Sequence, residues 1–64
     1  MKMFYLTVND LLRLAIEFEK DTIFFYEMIQ TFIQDKQTLD QLRDIIEEKT
    51  RHIGLLEEYR AKHR

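Results

Sequence analysis

At 64 residues the chain makes one small domain at most, and a domain of that size buries only about 60 % of the surface its unfolded form exposes. It has no Cys, so disulfides and thiolate ligands are excluded as supports, leaving a partner or a metal held by other ligands. A formal net charge of −2 offers no basic field for nucleic acid or for an acidic membrane surface.

Hydrophobic residues make up 45 % of the chain and charged residues 34 %, a folded rather than a disordered composition. There is no Pro and a single Gly, Gly54, so almost nothing interrupts a helix. The apolar start, residues 1–6, is too short for the core of a signal peptide, and no stretch approaches the ~20 apolar residues that span a bilayer. The expected location is therefore cytoplasmic. Residues 1–5 read equally as an arm on a neighbour or as disordered chain.

The first helical pattern opens at Thr7, an N-cap with Asp10 three residues on, and Leu6 and Leu11 stand at the positions of a hydrophobic staple. It runs to about residue 35. The second opens at Thr38, with Gln41 at capping-box spacing, and covers about residues 39 to 62. The short link at Asp35, Lys36 and Gln37 makes the helices antiparallel neighbours, each about 40 Å long. The expected fold is all-α: one hairpin over residues 1–64.

Helical spacing puts Val8, Leu12, Ala15, Glu19, Thr22, Ile23, Tyr26 and Ile33 on one face of helix 1. A second stripe holds Leu14, Phe18, Phe25, Met28, Ile29 and Phe32. A helix apolar on two faces needs two neighbours, and one hairpin supplies one. A second copy is the commonest remedy, so the expected assembly is a homodimeric four-helix bundle or a larger ring of such dimers. Helix 2 shows one apolar face, Leu42, Ile45, Ile46, Lys49, His52, Ile53, Leu56 and Tyr59, with Leu55 at its flank. Phe18, Phe24, Phe25, Tyr26 and Phe32 read as an aromatic cluster for core and subunit contact.

Three polar residues stand where apolar ones belong. Glu19 is central on the core face of helix 1; Lys49 and His52 are one turn apart on that of helix 2, with Glu48 beside them. A carboxylate taken from water needs a partner or a metal. Counted from the link, Glu19 and the Lys49–His52 pair come level. Such a meeting of carboxylate and imidazole inside a bundle is the geometry of a di-metal carboxylate protein, suited to iron or manganese.

Two stretches carry a family resemblance. Ala15-Ile16-Glu17-Phe18-Glu19 followed by Phe25-Tyr26 resembles the first helix of rubrerythrin-type, ferritin-like proteins. Ile45-Ile46-Glu47-Glu48-Lys49-Thr50-Arg51-His52-Ile53 resembles their second. The resemblance runs from about Val8 to Tyr59. It implies a ferritin-like four-helix bundle, iron held at its centre on dimerisation, Glu19 and His52 as ligands and Tyr26 near the metal. Lys49 breaks the pattern, for the family has its bridging Glu there, and an ammonium is a donor only. One account has Glu48 take over as ligand through a π-bulge, completing a di-iron or mononuclear site from Glu19, Glu48 and His52. The other has the Lys49 ammonium replace the metal's charge in a Glu19–Lys49 ion pair, leaving a non-catalytic dimerisation or assembly module.

The remaining residues read more simply. Glu47, Glu57, Glu58, Arg43, Arg51 and Arg60 form a solvated face with pairs such as Glu47–Arg51. The basic residues from 60 onward suit a helix C-terminus, and His63 reads as exposed. Gly54 is either a close-approach point or a tolerated surface glycine. No phosphate loop, nucleophile elbow or zinc spacing is present.

Overall fold

The computed structural model describes residues 6–62, which form two antiparallel helices, α1 (Val8–Gln30) and α2 (Lys36–Lys62). Residues 1–5, and with them most of the apolar start, and His63 lie outside the described residues.

α1 begins as its sequence dictates. The Asp10 N–H donates to Thr7 Oγ1 at 3.0 Å and the Thr7 N–H donates to Asp10 Oδ2 at 3.1 Å, a reciprocal box that satisfies two donors no helical carbonyl can reach. The staple contributes little, because Leu6 and Leu11 both stay more than half exposed.

The turn between the helices differs from the sequence expectation. α1 stops at Gln30 rather than near residue 35, and α2 starts at Lys36 rather than 39. Asp35, not Thr38, is the cap: its Oδ2 accepts from both the Thr38 N–H (2.9 Å) and the Thr38 hydroxyl (2.6 Å). Thr38 thus becomes a donor to the cap one turn upstream. Once Asp35 caps α2, residues 31–35 must span the ~8–10 Å between packed helix axes, so α1 has to release its chain early. It does so by tightening: the N–H groups of Thr31, Phe32 and Ile33 donate to the carbonyls three residues back, and the Thr31 hydroxyl donates to the Met28 carbonyl.

The helices meet along a narrow seam. Among the described residues only Ile16 and Ile53 are buried. The seam follows most of the expected faces, with Leu12, Glu19, Ile23 and Tyr26 of α1 and Leu42, Ile46, Lys49 and Leu56 of α2 partly buried beside Ile53. The best-covered residue of α1, however, is Ile16, assigned to neither stripe, and Val8, Ile45 and Tyr59 are exposed. A single helix partner covers only a narrow strip, and the strip follows the direct line between axes rather than the middle of a broad apolar face. At the open end, Arg60 Nε donates to Asn9 Oδ1 at 3.0 Å, tying the last turn of α2 to the first turn of α1. Arg60 is therefore an interhelix residue and not part of the solvated face. Arg51 pairs with Glu48 at 3.6 Å, one residue away from the expected Glu47.

The molecule is a single layer, with principal extents of 51 × 29 × 10 Å. Its radius of gyration is 15.5 Å, against about 11 Å for a compact domain of this length. The expected aromatic cluster does not assemble within one chain. Phe25 and Tyr26 are in ring contact at 6.2 Å, while Phe18 is 68 % and Phe32 81 % exposed.

Candidate functional site

Midway along the seam, α1 presents Glu19 and α2 presents Lys49 and His52. Lys49 Nζ is 3.7 Å from Glu19 Oε2, and His52 Nδ1 is 4.0 Å from the same oxygen. The register inferred by counting from the link is therefore correct. Glu19 and Lys49 are each about three-quarters buried, while the His52 side chain is half exposed. Both nitrogens lie beyond hydrogen-bonding distance, and Oε2 is out of contact with solvent and accepts no hydrogen bond.

The nearest hydroxyls are committed elsewhere. The Thr22 hydroxyl donates to the Phe18 carbonyl at 2.8 Å and the Thr50 hydroxyl to the Ile46 carbonyl at 2.8 Å, each within its own helix. Tyr26 is half-buried and has its ring against Phe25.

Beside the Glu19 carboxylate lies a hollow of about 420 Å³, lined by Ala15, Phe18 and Glu19 from α1 and His52, Leu55 and Leu56 from α2. It opens on one broad side of the hairpin. By helical spacing that side also carries Leu11 and Phe25 of α1 and Ile45 and Tyr59 of α2, every one of them exposed. The polar centre and the apolar stripe thus share one surface.

Glu48 does not join this centre. It is well exposed and pairs with Arg51, lining a separate polar groove with Asp44 and Glu47. α2 is a regular α-helix through this stretch, without the π-bulge that would turn Glu48 inward. Of the proposed ligands, the structure brings together Glu19 and His52 with the Lys49 ammonium between the helices. One carboxylate and one imidazole beside an ammonium do not fit a di-iron centre within a single hairpin. Among the described residues no three His, Cys, Asp or Glu converge on a common point.

Sequence reasoning missed Ile16 and the Asn9–Arg60 bond. Ile16 was legible as apolar but not as central; Asn9, in the first turn of a helix, gave no sign of a partner 51 residues away.

Compared with family models, curated proteins and solved structures, the chain matches none. What is shown is a helical hairpin, and no helix among the described residues is long and apolar enough to cross a membrane.

Proposed function

We propose that the chain is a helical assembly module: two copies pack through the broad side bearing Phe18, Phe25 and Leu55 into a four-helix bundle, with the Glu19–Lys49 pair at its centre. The carrying observation is surface. The chain exposes 5692 Å², while a compact monomer of 7.9 kDa exposes about 4,400 Å². The excess, about 1,300 Å², exceeds the ~800 Å² per partner of a standard stable interface. A second copy is the occupant that closes this surface by two-fold symmetry, because it brings the same apolar stripe. The centre of the stripe is also close to charge-neutral, Glu19 being balanced by Lys49, which lowers the cost of covering it.

Sedimentation equilibrium and light scattering test this reading: the expected mass is twice 7.9 kDa or a higher even multiple. A monodisperse monomer at micromolar concentration would overturn it. Lys49→Met leaves Glu19 without its ammonium and is expected to cost about 1–2 kcal/mol, between the exposed and fully buried limits.

A second reading keeps the ferritin-like resemblance and its iron. It is favoured by the juxtaposition of Glu19 and His52 at 4.0 Å on the surface that a second copy would cover. Two copies would offer two carboxylates and two imidazoles, a donor set that suits iron. Metal analysis after growth in iron, followed by anaerobic iron titration, decides it. The assembly reading expects no stoichiometric uptake; about one iron per dimer or more would favour the metal.

A further inference from the structure

Glu19 Oε2 is enclosed and without a hydrogen bond. A carboxylate oxygen in that state costs free energy unless a donor reaches it. Its own hairpin does not provide one: Lys49 and His52 stand at 3.7 and 4.0 Å, and the Thr22 and Thr50 hydroxyls donate within their helices. The hollow of about 420 Å³ is lined in part by Glu19, so a group entering it meets the Glu19 side chain, and a rotation of the carboxylate presents an oxygen to it. Of the side chains lining the hollow, His52 alone carries a donor, and it is half exposed toward the opening.

Two-fold packing adds a geometric requirement. In an isologous interface, if residue i of one copy meets residue j of the other, then j meets i. Glu19 and His52 lie on opposite walls of the same hollow, one from each helix. When two such hollows face each other about a two-fold axis parallel to the helices, α1 of one copy lies over α2 of the other, and each copy's His52 lies over the other copy's Glu19. We infer that in the dimer His52 donates a hydrogen bond to Glu19 of the opposite copy, reciprocally, so that each polar centre is completed only by the second chain. This rests on the assembly reading above and deepens it. The paired bonds fix the register of the two hairpins, which the aliphatic and aromatic stripe alone leaves free to slide. Directional polar contacts within an apolar interface specify alignment in this way.

Mixing two variants separates a bond between copies from one within a copy. Glu19→Ala chains keep His52, and His52→Ala chains keep Glu19. If the bond crosses between copies, a mixed dimer retains one whole pair, while each parent homodimer retains none. If it lies within a copy, no dimer retains any pair and mixing gains nothing. After equilibration, native mass spectrometry is expected to show the mixed dimer rising from the statistical half of all dimers to about nine-tenths, as a hydrogen bond to a charged group implies. A statistical 1:2:1 distribution, with the wild type dimeric, overturns the reciprocal bond and leaves the assembly reading standing. A wild type that stays monomeric overturns both. Should either Ala variant be unfolded alone, recovery of helical circular dichroism on mixing supports the bond between copies; without recovery, Glu19→Met with His52→Leu is mixed instead, and random pairing there counts against it.

Discussion

The Thr7–Asp10 box and the Asp35 cap act through single oxygens at exposed helix ends, so their effects are local and measurable. Removing the Thr7 hydroxyl leaves the Asp10 N–H without its acceptor, and Thr7→Ala is expected to destabilise the fold by about 1 kcal/mol in a urea titration. Hydrogen bonds from the Thr7 backbone and hydroxyl, with Arg13 and Arg60 nearby, hold the Asp10 carboxyl below its usual 3.8. Asp35 is lowered from the same value by the Thr38 hydroxyl and then by the Thr38 N–H. Because both folded values lie below the unfolded one, the stability they contribute is fully present above pH 3.8 and is lost as pH falls through the lower, folded values. Thermal melts from pH 5 downward should therefore show a falling midpoint. Asp35→Asn, which keeps a capping oxygen but cannot titrate, should flatten part of that decline while leaving the midpoint at neutral pH little changed.

At the scale of the element, α2 carries one weak point. Gly54 sits in mid-helix with no positive φ, and a Cβ built there meets nothing within 4 Å. It follows Ile53 by one residue, which turns it to the side of the hairpin opposite His52 and the hollow. The close-approach reading of this glycine therefore has no support at the proposed interface. Gly54→Ala should stabilise the fold by about 0.5–1 kcal/mol in chemical denaturation, with no change in assembly mass. The start of α1 was legible because the Thr7–Asp10 spacing had no competitor. The start of α2 was not, because Asp35 and Thr38 are both good caps one turn apart. The upstream carboxylate prevails, accepting two hydrogen bonds from Thr38 itself.

For the whole molecule, the decisive quantity is the apolar surface that one layer of two helices leaves in water. Phe18 is 68 % exposed, so a charge there leaves the hairpin seam untouched while placing a carboxylate in the proposed interface. Phe18→Asp is expected to weaken association by about a hundredfold or more, read by sedimentation as a shift toward 7.9 kDa. With only Ile16 and Ile53 buried among the described residues, the separated hairpin should also lose much of its helicity. Phe24 is the control: it is 64 % exposed but turned to the opposite side, and Phe24→Asp should leave a dimer intact. A change of mass in the Phe24 variant would show that the second side also packs, as in a larger ring.

The sequence by itself determined two antiparallel helices, an excess of apolar surface over what a hairpin can bury, and the level meeting of Glu19 with Lys49 and His52. These follow from periodicity, the absence of breakers and a constant rise per residue, all of which are local and additive along a helix. Only the tertiary structure decided that Ile16 joins Ile53 at the middle of the seam, that Asp35 ends the turn, that Arg60 reaches Asn9, and that Glu48 pairs with Arg51. The places of Ile16 and Arg60 depend on how far one helix is rotated about its axis relative to the other, whereas the Asp35 cap and the Glu48–Arg51 pair are choices between neighbouring partners within one turn. A broad apolar face permits a range of rotations, and packing across the seam selects one. That selection leaves Glu19 Oε2 enclosed near an open hollow, with the Lys49 and His52 nitrogens beyond hydrogen-bonding distance.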